Sequence, residues 1–124
     1  MKIRRVILLP FVIMLVLATA SAEKITAEGE LICTACFLGM NISGESHKKC
    51  ALMCAKKGFP IAVLTQKGDL INIISIPVVF GDVIGNTVKI EGEFYERAQS
   101  LIPVKMWVKK DGKWRERELP KSGM

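Results

Sequence analysis

Every soft metal-ligating or redox-active side chain except methionine is packed into one short stretch. The chain has four cysteines and one histidine, arranged as Cys33-x2-Cys36 and then His47-x2-Cys50-x3-Cys54. No Cys or His follows Cys54. On a helix, His47, Cys50 and Cys54 stand at i, i+3 and i+7, which at about 100° per residue places them within an arc of roughly 60°. Three donors then point one way, and the segment carrying Cys33 and Cys36 must fold back near that face to join them.

Three chemistries fit these residue types. A metal site is the first. Three thiolates and an imidazole, drawn from these four cysteines and His47, form a tetrahedral set suited to Zn²⁺. Thiolate-rich sites also take Cu(I) or an iron–sulfur cluster. The second is a pair of structural disulfides, the usual fate of cysteines in an exported protein. The third is thiol–disulfide exchange through Cys33-Thr34-Ala35-Cys36. That option needs a strand–CxxC–helix unit, whereas Gly39, Asn41, Ser43 and Gly44 read as a loop over Phe37–Ser46. A covalent c-type haem is disfavoured because Phe37, not His, follows Cys36.

The elements that must position these groups can be read outward from them. Glu23–Gly29 reads as a polar lead-in, and Glu30–Ala35 as a short strand running into the first cysteines. One helix is expected over Glu45–Lys57, capped by Ser43 or Ser46, with Gly58 just past its end and Pro60 preventing continuation. From Ile61 the period changes to strands. Ile61–Thr65 and Asp69–Ile76 flank a Gln66-Lys67-Gly68 turn, and Thr87–Glu96 alternates with Val88, Ile90, Gly92 and Phe94 on one face. Val104, Met106 and Val108 alternate likewise. Asp111-Gly112 is a two-residue turn into a last strand, Lys113–Glu118. Five or six strands and one short helix carrying HxxCxxxC predict a mainly β (α+β) fold, a small OB-like barrel with the helix as plug. An open antiparallel sheet with the helix on one face is the alternative.

Composition narrows the function classes. Half the chain is apolar and 24% is charged, which excludes a disordered chain. Met1–Ala22 carries Lys2, Arg4 and Arg5, then an uncharged apolar run over Val6–Ala18, then Ala20-Ser21-Ala22. This is the layout of a cleaved signal peptide, and the run is short of the roughly 20 residues that span a bilayer. A periplasmic or secreted product is expected, with no stable membrane anchor after cleavage. Residues 23–118 form a single domain and 119–124 a loose tail. Without the leader, 15 basic residues face 12 acidic ones, an excess too mild to point to nucleic acid.

Few groups are available for acid–base catalysis: one His and three Asp (Asp69, Asp82, Asp111), with no nucleophile elbow, phosphate loop or close carboxylate pair. A binding module is favoured over an enzyme, with a metal ion or an unidentified protein as its partner. Trp107 and Trp114 fall on one face of the last hairpin, where a cross-strand pair is expected over a ligand-stacking platform. Lys48, Lys49, Lys56 and Lys57 read as a solvated helix face.

The stretch Gly29-Glu30-Leu31 … Cys36 … His47-Lys48-Lys49-Cys50-Ala51-Leu52-Met53-Cys54 … Gly58-Phe59-Pro60-Ile61 resembles a family of small exported bacterial proteins. These share a G-E-L…C…H-x-x-C-A-x-x-C-x3-G-x-P pattern ahead of an OB-like, β-rich half. The resemblance implies that Cys36, His47, Cys50 and Cys54 are the shared set. Cys33 departs from the pattern, so the resemblance leaves open whether it replaces a ligand, forms a disulfide or stays free. No activity is carried over.

Overall fold

Inward-facing residues at every second position define the barrel. In strand β1 (Glu23–Cys33), Ala27, Gly29, Leu31 and Cys33 are buried while Lys24, Thr26 and Glu28 are exposed. In β4 (Thr87–Tyr95) the buried set is Val88, Ile90 and Gly92, as the alternation predicts. The computed structural model of the chain describes residues 22–121. All of the expected signal peptide except Ala22 therefore lies outside the described residues, as do residues 122–124.

The remaining strands are β2 (Ile61–Leu64), β3 (Leu70–Ile73), β5 (Ser100–Lys110) and β6 (Lys113–Arg117). They pair in the order β3-β2-β1-β4-β5-β6, and β3 also pairs with β5. That last contact is parallel, through Asn72↔Ser100 and Ile73↔Leu101, and it closes a five-stranded barrel. Strand β6 is an addition along the far half of β5, from Met106↔Arg117 to Lys110↔Lys113. The expected mainly β, OB-like barrel is what forms, and the sheet is closed rather than open. The core contains Leu31, Ile61, Val63, Ile73, Phe80, Val88, Ile90, Leu101, Met106 and Val108.

Two glycines let so small a barrel curve. A Cβ on Gly29 would stand 2.0 Å from the carbonyl oxygen of Leu64, and one on Gly92 would stand 2.0 Å from that of Ile102. Gly92 also lies at a register shift opposite Pro103. Proline at that point removes no N–H from a regular ladder.

The sequence reading is corrected in four places. Glu23–Gly29 is no lead-in: it is the first half of β1 and pairs with β4 from Glu23↔Phe94 to Gly29↔Val88. Its inward residues, Ile25, Ala27 and Gly29, are too small or too few to give a strand signal. A second helix, α1 (Thr34–Met40), stands where the first cysteines were placed in a strand and loop. Asn41, at φ 53°, ends α1 in the left-handed region, so a residue read as loop is in fact a helix stop. The expected helix is α2 (Glu45–Lys56), but Gly44, not a serine, is its N-cap. Ser46 Oγ instead donates to Ser43 O. Strand β3 ends at Ile73, and Pro77–Phe80 forms a 3-10 turn.

The C-terminus of α2 follows the sequence signals. Gly58 N–H donates to Ala55 O and Phe59 N–H to Cys54 O, a Schellman arrangement. Both helices lie between β1 and β2, and the insertion leaves and rejoins the sheet at one point. Cys33 pairs with Ile61, and Thr34 N–H donates to Pro60 O at 2.9 Å. The Asp111-Gly112 turn sets the expected register of Lys109 against Trp114. The Lys89 ammonium, from β4, stands 4.3 Å from the Trp114 ring centroid, and that of Lys109, from β5, stands 5.7 Å away, so lysines of the chain itself lie over this tryptophan. In the expected tail, Leu119 packs against the core.

Candidate metal centre

The mouth of the helical insertion brings all five donors together. Cys33 is the last residue of β1 and the N-cap of α1, and it is fully buried. Cys36 lies in the first turn of α1 and is also buried. On α2, the buried residues His47, Ala51 and Ala55 recur every four positions and define the face turned to the core. Cys50 and Cys54 lie on the flank of that stripe and are half-buried. His47 therefore sits at the edge between the core face and the cysteine flank.

This placement divides the donors into two groups of three. The ligand atoms of Cys33, Cys36 and His47 lie within 4.8 Å of one another, and so do those of Cys36, Cys50 and Cys54. Cys36 belongs to both. The inner group is entirely buried, and the outer group combines buried Cys36 with half-buried Cys50 and Cys54. These groups could hold a metal ion. All four cysteines are free thiols. The closest hydrogen-bonded pair is Cys36 Sγ and Cys54 Sγ at 3.3 Å, far beyond a disulfide bond of about 2.05 Å. The Cys50 thiol donates to His47 O at 3.4 Å.

His47 is 0% exposed, and neither Nδ1 nor Nε2 has a hydrogen-bond partner. A buried imidazole ordinarily makes at least one such bond, and leaving the group unsatisfied costs about 1–3 kcal/mol. Burial lowers its pKa from the ordinary value, against opposing pulls from the charge of Glu30 and from the Ile42 backbone, whose approach falls short of a hydrogen bond in geometry. The shift favours the neutral ring, the form that ligates metals.

The thiols are shifted in the opposite sense to a reactive cysteine. Cys36 is pushed up to about 12, by burial first and then by the neighbouring Cys54 and Cys33 thiols. Cys54 is also raised, chiefly by burial. Nucleophilic cysteines have lowered values. A cation is the agent that would draw the protons off such a cluster.

One contributor carries no signal in the residue spacing. Glu30, on β1, accepts a hydrogen bond from the N–H of Gly44, the N-cap of α2. Its carboxylate fixes where α2 begins and hence where His47 stands, three residues on. A strand–CxxC–helix unit is present, as β1, Cys33–Cys36 and α1, where the spacing after Cys36 predicts a loop.

Searches of protein-family models, of curated proteins and of solved structures find no match to the chain. Among the described residues no helix is long and apolar enough to cross a membrane.

Proposed function

We propose that this chain is an exported, OB-like barrel module that binds a soft or borderline metal ion through Cys36, His47, Cys50 and Cys54, with Cys33 as a fifth donor. The observation that carries the reading is His47, fully buried with both ring nitrogens unpartnered and a ring nitrogen beside two thiols. Zn²⁺ and Cu(I) match the donor chemistry best, and an iron–sulfur cluster is a further candidate. Export is supported by the make-up of Met1–Ala22. A periplasmic or secreted module of this kind takes up its ion, or passes it to a partner protein, outside the cytoplasm.

The deciding experiment is elemental analysis for zinc, copper and iron on the full chain, expressed with its leader and recovered without chelators, followed by titration with Zn²⁺ and Cu(I). Stoichiometric metal, absent from a His47→Ala, Cys36→Ser double variant, is the expected result. No co-purifying metal and no binding of either ion would reject the reading. Intact mass tests export separately: a product beginning at Glu23 is expected, and a chain retaining residues 1–22 refutes it.

A second reading, thiol–disulfide exchange, draws on the 3.3 Å approach of Cys36 and Cys54 and on the β1–CxxC–α1 unit. The raised Cys36 thiol counts against it. Alkylation of all four thiols in protein taken directly from the native compartment separates it from the metal reading. Thiols blocked by oxidation favour exchange or a staple.

A further inference from the structure

The division of five donors into two groups with one member in common has a definite chemical meaning. A single ion bound by all five would gather them into one group, and they form two groups of three instead. We infer that the centre holds two Cu(I) ions bridged by the thiolate of Cys36. The inner ion is bound by Cys33, Cys36 and His47, and the outer ion by Cys36, Cys50 and Cys54. The inference rests on the metal-site reading above and deepens it.

Three features favour this arrangement. The first is coordination number. Zn²⁺ in a structural site takes four ligands, and neither group supplies four. Cu(I) is stable with three and prefers soft thiolates. The second is spacing. For metal–sulfur bonds of about 2.3 Å, the three ligands of a planar site stand about 4 Å apart, inside the 4.8 Å limit both groups meet. Cys36 and Cys54, at 3.3 Å, must separate by less than about 1 Å to reach that value. The third is the shared atom itself. Thiolate sulfur keeps lone pairs to spare after binding one ion, so it bridges two d¹⁰ cations without further ligands, whereas imidazole nitrogen has a single pair to give.

The inner group is entirely buried, whereas the outer group adds half-buried Cys50 and Cys54 to buried Cys36. Cys36 would be bonded to both ions. Four thiols release four protons to solvent as two monocations bind. The cluster is left with two excess negative charges, and α2 also carries Lys49 and Lys56.

The test is anaerobic titration of the full mature chain with Cu(I) against a competing Cu(I) chelator, read by native mass spectrometry, with X-ray absorption on the loaded protein. Two copper ions per chain and a short copper–copper scattering path are expected. Cys33→Ser and Cys50→Ser each reduce the stoichiometry to one and remove that path. Cys36→Ser abolishes tight binding of both ions, while circular dichroism verifies that the barrel persists. A single copper in the wild-type chain overturns the pair and leaves the metal-site reading intact. Two coppers without the copper–copper path overturn the bridge. No copper bound overturns the inference, and if zinc is not bound either, the reading beneath it falls too.

Discussion

At the residue scale the centre combines groups that are costly while they hold no ion. His47 is buried with two unpartnered nitrogens, so replacing it by an apolar side chain of similar size removes a desolvation cost of about 1–3 kcal/mol. The metal-free His47→Leu variant is therefore expected to be at least as stable as the wild type in urea denaturation, and to gain less from added metal. A clear loss of stability in the metal-free variant would show that the imidazole is satisfied within the fold. The thiols give a second expectation, with its sign fixed by the direction of the shift. Cys36 rises from 9.0 unfolded to about 12 folded, so the unfolded chain loses its proton first. Metal-free stability is then intact below pH 9.0 and declines as the pH climbs from there towards about 12. Urea midpoints measured across that window should fall for the wild type. They should fall less for Cys36→Ser, which leaves the titration of the lysines in place as a common background.

The elements place these residues, and here the sequence was legible unevenly. Helix α2 could be found because its stop was chemically explicit: Gly58 and Pro60 follow a run whose Cys and Ala residues keep helical spacing. The β5–β6 register could be found because Asp111-Gly112 demands one turn type, and both residues do adopt positive φ. Helix α1 was hidden because seven residues ending near Gly39 and Asn41 resemble a loop, and only the left-handed Asn41 shows that these residues close a helix. The grouping of the donors was hidden for a related reason. Helical spacing put His47, Cys50 and Cys54 on one arc, but which part of that arc faces the core depends on Ala51 and Ala55 packing inward. Two expectations belong at this scale. Glu30→Ala removes a charge-assisted bond to the N-cap of α2 and should cost about 1.5–3 kcal/mol, measured by denaturation, together with weaker metal binding as His47 loses its fixed position. Gly29→Ala should cost about 1–3 kcal/mol or more, because its methyl would have to displace the backbone of β2. Its metal stoichiometry should be unchanged wherever the protein remains folded.

At the scale of the whole molecule, barrel and centre are joined but separately stabilised. The main core cluster is drawn from all of β1 to β5, from the Pro77–Ile84 segment and from Ala51 and Ala55 of α2, and it includes none of the four cysteines. Arg117 reinforces the barrel from outside, pairing with Asp82 Oδ2 at 2.7 Å and donating to Val79 O. The ion, by contrast, would tie α1 to α2 and both to the end of β1. A long apolar ladder opens only when the domain unfolds, while elements with few buried residues open locally at lower free energy. Helix α1 buries Cys36 alone, so it should be the part most dependent on metal. The closing seam between β3 and β5 has two residue pairs, against eight between β1 and β4, and it lies outside the metal cluster. Hydrogen exchange on the metal-free and metal-loaded chain should accordingly show three behaviours. Amides of β1 and β4 are slow in both states. The seam amides of Asn72 and Ile74 are faster in both. Those at the end of α1, including Asn41 and Ile42, slow by at least tenfold on loading. Equal protection of α1 in the two states would mean that packing alone holds the helix, and that an ion at this mouth stabilises nothing beyond its own ligands.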